Sequence, residues 1–186
     1  MNILIYRYGS ICEPDVITGF QALGNEVAEI TAEIYNKNLS PSEGVTLLKN
    51  ELLTHSYDFV FSINFFPFIS EVCNIFQIRY ICQTVDSPVM ELYSNSIYNP
   101  WNRIFMFDKA QYDEFSPKNP AGIFHLPLAS NPDRWESVIN NATPSQIDRY
   151  SGDVSFVGSL YTEKSPYRRL KNAPDYLTGY LDGIMA

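Results

Sequence analysis

Residues 58–85, DFVFSINFFPFISEVCNIFQIRYICQTV, carry the pattern that decides the fold. The run DFVFSI predicts a buried strand, PFISEVCNIF predicts a helix with one apolar face, and RYICQTV predicts a second buried strand. Two buried strands joined by a helix form the repeating unit of a parallel sheet that is covered by helices on both faces. This stretch therefore predicts an α/β fold.

The same alternation of strands and helices extends in both directions. On the amino-terminal side, NILIYRY and NEVAEI predict strands, which are followed by predicted helices in EPDVITGFQALG and SPSEGVTLLKNELL. The second of these helices opens with a capping box formed by Ser40 and Glu43. On the carboxyl side, RIFMF predicts a fifth strand, DKAQYDEF a helix and GIFHLPLA a sixth strand. Six strands within the first 130 residues predict a complete Rossmann-like, doubly wound parallel sheet with right-handed crossovers.

The character of the chain changes after Ala129. Residues 131–152 are polar with a weak helical stretch, which is typical of a linker or of a helix crossing the domain surface. The segment DVSFVG then resumes strand character, and the residues that follow it predict a helix. We expect a Rossmann-like domain over 1–130, a linker over 131–152 and the first strand–helix unit of a second domain over 153–186. The apolar ending YLTGYLDGIMA predicts that the natural chain continues past Ala186.

Composition and charge exclude several classes of protein. The 186 residues are 45% hydrophobic and 18% charged, which is a globular composition. The net charge is -8, and residues 1–130 hold 7 Lys and Arg against 14 Asp and Glu, which makes them a poor electrostatic match for nucleic acid. The three cysteines lack metal-type spacing, and the chain shows neither a transmembrane segment nor the apolar core of a signal peptide. We expect a cytoplasmic protein with reduced cysteines and no metal.

Titratable side chains follow several of the predicted strands. Ligands bind beyond the carboxyl ends of the strands in an open parallel sheet, so these positions are candidates for catalysis. Asp86 is expected to act as a general base or to hold a sugar hydroxyl, or to cap a helix beginning at Ser87 or Pro88, which is the commoner role. Asp108 presents the same choice and favours capping. His125 is suited to binding a phosphate, to acid or base catalysis, or to a structural bond with a backbone carbonyl.

Further residues, most of them small or polar, complete the set of candidate ligand-binding positions. They are Gly9 and Ser10 after the first strand, Asn64 after the third, Ser87 and Asp108 after the fourth and fifth, and later Gly158, Ser159 and Arg168. For Asn64, turn formation is an equal alternative. The segment VGSLYTEKSPYRR offers a glycine at a strand end and a helix N-terminus with basic residues inside it, which suits a diphosphate. The first strand is not followed by G-x-G-x-x-G, which disfavours a dehydrogenase.

Several segments resemble parts of glycosyltransferases of the GT-B class. FHLPLASNPDRW resembles the end of their N-terminal domain, and DVSFVGSLYTEK resembles the first strand and glycine loop of their C-terminal domain. More closely, YDFVFSINFFPFISEVCN, YICQTVDSPV, RIFMFD and DVSFVGSLY resemble the N-terminal region of bacterial group 1 glycosyltransferases similar to the spore maturation protein CgeB. The resemblance implies sugar transfer from a nucleotide diphosphate sugar to an unknown acceptor, without a cofactor or a bound metal.

The resemblance also implies a division of roles along the chain. The N-terminal domain would mainly hold the acceptor, and Gly158 and Ser159 would lie near the donor sugar nucleotide. Asp86 and His125 would face the donor from the other side as the catalytic candidates. A chain of this length is then expected to be inactive by itself. The alternative, from the residues alone, is a Rossmann-like binding or regulatory module for a small anionic ligand or a protein partner.

Overall fold

The first compact unit of the protein is built on a parallel sheet of six strands. The computed structural model describes residues 1–158 and 174–185, and the chain divides into the units Met1–Ser137 and Val138–Ala186. All six predicted strands are confirmed in the first unit. They are β1 (Asn2–Tyr6), β2 (Glu26–Ile30), β3 (Phe59–Ile63), β4 (Arg79–Gln83), β5 (Asn102–Met106) and β6 (Ile123–His125).

Helices connect these strands and continue beyond the sheet. Within the described residues the α-helices are α1 (Glu13–Ala22), α2 (Ala32–Tyr35), α3 (Pro41–Thr54), α4 (Pro67–Phe76), α5 (Lys109–Phe115), α6 (Pro132–Asn140), α7 (Pro144–Tyr150) and α8 (Asp175–Met185). Short 3-10 helices span Met90–Tyr93, Asn95–Tyr98 and Ser116–Lys118. None of the helices in the described ranges combines the length and the apolar character that crossing a bilayer requires.

The strand order β2-β1-β3-β4-β5-β6 confirms the predicted Rossmann-like doubly wound sheet, in its flavodoxin-like form. From β1 the chain steps to one side to form β2 and returns to the other side for β3 and the later strands. The two winding directions diverge between β1 and β3. The carboxyl ends of these two strands are therefore the topological switch point, where open α/β sheets bind ligands.

Strand alternation divides the core into two layers. Leu4, Val60 and Tyr80 lie in the larger layer, which also contains residues of α3 and α4. Ile5 and Phe61 lie in the smaller layer, on the side of α1. Successive side chains of a strand point to opposite faces of the sheet, so these near-continuous apolar runs fill both layers at once.

The start of α3 shows how the local sequence fixes the packing. The Glu43 amide donates to Ser40 Oγ at 3.3 Å, and the Ser40 amide donates to the Glu43 carboxylate at 2.7 Å, which confirms the predicted capping box. One residue later, a Cβ added to Gly44 would lie 3.1 Å from the Phe68 ring of α4. A side chain at that position would therefore crowd the Phe68 ring, which would have to move by a few tenths of an ångström.

The chain after the sheet differs in part from the prediction. Residues 131–152 contain two helices, α6 and α7, where one weak helical stretch was expected. The structure assigns no strand to 153–158, where Val154, Phe156 and Val157 are at least 83% exposed. A strand needs a neighbouring ladder, and no strand of the described residues pairs with this segment. The helix predicted after it begins outside the described residues.

We expect the stability of the protein to depend strongly on Leu48 of α3 and only weakly on its neighbour Leu47. Leu48 is fully buried and Leu47 is 37% exposed. Leu48→Ala should lower the free energy of unfolding by about 2–5 kcal/mol, because it leaves a cavity in the larger core layer. Leu47→Ala should lower it by no more than about 1 kcal/mol. Urea denaturation of the two variants measures both values, and equal losses would contradict this packing.

Candidate functional site

The loop after β1 is closed around a carboxylate of the protein itself. The backbone amides of Tyr8 and Gly9 donate to Glu13 Oε1 at 2.9 and 3.1 Å, and Arg7 Nε lies 3.0 Å from Glu13 Oε2. Glu13 is 1% exposed. Amides at this position, near a helix N-terminus, form an anion site in many α/β proteins. Here the anion is Glu13, which accepts from the Gly9 amide, and the ligand-binding role of Gly9 stays a prediction.

Asn64 joins the ends of three strands. Its side-chain nitrogen donates to Asp86 Oδ2 at 2.6 Å and to the Tyr8 hydroxyl at 3.1 Å, and its Oδ1 accepts from the Val85 amide at 2.9 Å. Its backbone has a φ of 58°, a left-handed conformation that asparagine adopts more readily than most residues. Asn64 thus forms the turn that the sequence suggested and also reaches the candidate base Asp86.

A buried phenol supports the turn from below. The Tyr80 hydroxyl lies 2.6 Å from Ser62 Oγ and accepts from the Phe66 amide at 2.9 Å. Ser62 Oγ in turn donates to the Asn64 carbonyl at 2.7 Å. Burial is the main reason that the pKa of Tyr80 is raised well above its ordinary value, so the hydroxyl keeps its proton. The turn that presents Asn64 is therefore set by the core.

A cavity of about 310 Å³ opens at the switch point, and we call it the switch-point pocket. Its lining combines aromatic rings with three carboxylates. The lining residues are Tyr8, Glu33, Asn64, Phe65, Phe66, Asp86, Pro88, Val89 and Glu91. Among these residues of the described chain, no Lys, Arg or His occurs. The pocket is therefore suited to a neutral, hydroxyl-bearing or a cationic ligand and is unfavourable for a phosphate.

The hydrogen bonds within the pocket leave acceptor capacity free. Glu33 Oε2 accepts the Tyr6 hydroxyl at 2.7 Å, and Asp86 uses Oδ2 for its bond to Asn64. Burial raises the pKa of Tyr8, and the negative charge of Asp86 raises it further. Tyr8 is therefore a neutral phenol at physiological pH and can donate to a ligand oxygen. The pocket consequently offers both hydrogen-bond acceptors and a donor.

Asp86 does not cap a helix, which corrects the commoner of its two predicted roles. No helix begins at Ser87 or Pro88: the peptide bond between them is cis, and the next helical turn starts at Met90. The Asp86 carboxylate turns back toward β3 to accept from Asn64, so it does not reach the amides that follow it. Its second predicted role, at a ligand site, is the one that its position allows.

Asp108 caps α5, as predicted. Its Oδ1 accepts from the Gln111 amide at 2.9 Å, and this bond is the main cause of the lowered pKa of the Asp108 carboxyl. Ser87 Oγ donates to Asp108 Oδ2 at 3.2 Å, and the Gln111 side chain donates to the Asp86 carbonyl at 3.3 Å. Ser87 and Asp108 therefore brace the loop beside the switch-point pocket and do not line it.

His125 makes the structural contact that was one of its predicted alternatives. Its Nε2 lies 3.2 Å from the Phe107 carbonyl oxygen, and its ring packs at 5.7 Å from the ring of Tyr112. It does not line the switch-point pocket with Asp86. The structure therefore does not unite the two predicted catalytic residues in one cavity.

Ser10 is not among the residues that line the switch-point pocket, although its side chain interacts with the Tyr8 hydroxyl. Ser10 Oγ accepts from the Cys12 amide at 3.3 Å in the first turn of the β1–α1 connection. Gly158 is exposed and lies in the second unit, next to the Phe156 ring. Ser159 and Arg168 lie outside the described residues.

Sequence reasoning did not find Glu13, Glu33 and Glu91. Glu13 had one usable signal, since an acidic residue follows the small loop after β1 by only a few positions. Glu33 lies on α2, a four-residue helix whose sequence carries too short a pattern for periodicity to detect. Glu91 lies on a 3-10 turn of similar length.

The structure also contains a cavity away from the switch-point pocket. A cavity of about 440 Å³ lies near the amino ends of the strands, between residues such as Tyr57, Arg79 and Trp101. That edge is opposite to the one where parallel sheets bind ligands. Across the ranges 1–158 and 174–185, no three His, Cys, Asp or Glu residues are grouped as a metal site.

Comparison with known proteins identifies no family. No protein-family profile matches the chain, and no curated protein matches it. Among solved structures, it is similar to the response regulator TrrA from Thermotoga maritima in complex with Mg²⁺-BeF, at 15% identity and a TM-score of 0.37. That match covers 75% of this chain and 96% of that chain. A two-component response regulator from Clostridium difficile matches at 12% identity and a TM-score of 0.37, over 82% and 99%. Similarities of this size carry no argument about function.

We expect the charge of Asp86 to act directly on Tyr8. Asp86→Asn removes the charge but keeps an oxygen that can accept from Asn64, so the pKa of Tyr8 should fall toward its ordinary value. It should stay above that value, because burial is the larger cause of the shift. Titration of ¹³Cζ-labelled tyrosine by NMR measures this pKa. Tyr57, whose pKa is raised to about 12 by burial and then by Glu51, is the internal control and should not change. An unchanged Tyr8 would show that the two groups do not interact.

Proposed function

We propose that the unit Met1–Ser137 is the acceptor-binding half of a glycosyltransferase that uses a nucleotide diphosphate sugar. The observation that carries the proposal is the switch-point pocket, which combines aromatic rings with carboxylates where such sheets bind ligands. Rings stack on the apolar faces of a sugar, and carboxylates accept hydrogen bonds from its hydroxyls. This chemistry supports a neutral, hydroxyl-rich acceptor.

The proposal assigns to Asp86 the role of general base. Its Oδ2 is oriented by Asn64, and its Oδ1 makes no hydrogen bond within the described residues. In the proposed step, Oδ1 takes the proton of the acceptor hydroxyl while the hydroxyl oxygen forms a bond to the anomeric carbon of the donor. The bond from that carbon to the diphosphate breaks, and the nucleotide diphosphate leaves with the electron pair.

The donor diphosphate is assigned to residues outside the switch-point pocket. Glu13 already occupies the amides after β1, and Glu33 and Glu91 would repel a diphosphate in the pocket. The same carboxylates weigh against the alternative of a module for a small anionic ligand at this position. The glycine loop and basic residues after 153 remain the proposed donor-side elements, and most of them lie outside the described residues.

The proposal is tested on the natural full-length protein. We expect it to bind UDP-, GDP- or dTDP-glucose in titration calorimetry and to hydrolyse or transfer the sugar, with products identified by mass spectrometry. Asp86→Asn should lower kcat by about 100-fold or more while donor affinity stays within about twofold, because a general base contributes about that much to the rate. Asp113→Asn is the matched control, since Asp113 is an exposed carboxylate paired with Lys109 on α5.

Two results would contradict the proposal. A full-length protein that binds none of the three nucleotide sugars is not a transferase of this kind. A kcat that is equal in Asp86→Asn and in Asp113→Asn would leave the transferase activity standing but remove Asp86 as the base.

A further inference from the structure

A further cavity lies beside α1, and we call it the α1 cavity. It has a volume of about 430 Å³, within the range of about 300–1,000 Å³ typical of small-molecule sites. Ile63 and Val85, at the ends of β3 and β4, lie on one side, and Val16 and Gly19 of α1 lie on another. Leu128 lines it from the segment after β6. All its lining residues belong to the unit Met1–Ser137.

The apolar residues of the α1 cavity are incompletely buried. Cys12, Val16 and Val85 pack against the smaller core layer, yet each remains only partly buried. Leu128 is 50% exposed. An apolar group placed in the cavity would remove this surface from water, which is favourable. The cavity thus combines partly exposed apolar surface with polar lining residues such as Gln83.

The carboxylate of Asp15 joins two walls of the cavity. Asp15 of α1 accepts from Asn131 Nδ2 at 3.2 Å and from Arg134 NH1 at 2.7 Å. These two bonds fasten the segment after β6 to α1, so the wall is formed before any ligand arrives. Arg134 also neutralises Asp15, which leaves Asp133 as the other charged lining residue. The described residues that line the cavity include no cationic group that would attract an anion.

We infer that the α1 cavity binds a neutral apolar group of a small molecule, an alkyl chain or an aryl ring. Adjacent residues of the same strand ends line the two cavities. Ile63 and Val85 line the α1 cavity, whereas Asn64 and Asp86 line the switch-point pocket. An acceptor with a hydroxylated head in the switch-point pocket would therefore direct an apolar tail across this edge. This last assignment, that the apolar group belongs to the acceptor, rests on the proposed function.

Gly19 gives a direct test, because it can be enlarged into the cavity. A Cβ added to Gly19 meets no atom within 4 Å. Gly19→Trp should fill the cavity, and Gly19→Ala should leave it open while favouring the helix. The probe is N-phenyl-1-naphthylamine, a neutral aryl dye whose fluorescence rises in apolar surroundings. We expect saturable binding to the full chain that is weakened by about tenfold or more in Gly19→Trp and by less than about twofold in Gly19→Ala.

Two further measurements locate the dye. Cys12 lines the α1 cavity and is partly exposed, whereas Cys73 and Cys82 are buried, so a thiol reagent applied to the native protein reports on Cys12. Bound dye should slow its reaction with dithiobis(nitrobenzoate). Ile147→Ser alters a separate apolar groove of the second unit and should not change dye affinity.

The outcomes separate this inference from the proposed function. Absence of saturable binding overturns the inference, and so does equal affinity in Gly19→Trp and wild type when circular dichroism shows both to be folded. A dye that leaves the Cys12 rate unchanged overturns it as well. Because the dye carries no sugar, Asp86→Asn should not alter its binding. Dye binding would therefore remain valid even if the transferase proposal failed. The transferase proposal would likewise remain valid if no dye bound.

Discussion

The side-chain amide of Asn64 holds together the ends of three parallel strands, and the geometry of the switch-point pocket depends on it. The backbone ladders pair β1, β3 and β4 up to their carboxyl ends, and the loops beyond these ends need a further link to fix their relative positions. Asn64 supplies that link through Tyr8, Val85 and Asp86. The amide can do this because its backbone adopts a left-handed turn that Tyr80 supports from the core. The positions of these polar side chains at the surface therefore depend on the buried hydroxyl of Tyr80.

Glu13 sets the electrostatic character of the same edge. In many α/β proteins the amides after the first strand are left for a ligand phosphate, whereas here a buried carboxylate accepts from them. The positive field of those amides is therefore balanced within the protein. Carboxylates such as Glu33 and Glu91 then dominate the pocket. This internal compensation leaves the edge unfavourable for a phosphate, although many α/β sheets bind nucleotides at this position.

The architecture could be predicted from the sequence because it depends on local patterns. Apolar runs, helix periodicity and the capping residues Ser40 and Asp108 each act over a few neighbouring positions, and the structure confirms them. The site depends on long-range contacts that no local pattern encodes. Asp86 turns toward β3 because Asn64, 22 residues earlier, offers a donor there. The predicted strand at 153–158 shows the same limit, since apolar residues form a strand only where a partner ladder exists.

The bond between Asn64 and the Val85 amide has a thermodynamic consequence. It lies between two cavities, with Val85 lining one and Asn64 lining the other. An occupant that shifted Val85 would also act on Asn64, whose side-chain nitrogen donates to Asp86, so a change of affinity on one side would be transmitted to the other. Linkage requires the effect to be mutual: each occupant alters the affinity for its neighbour by the same factor.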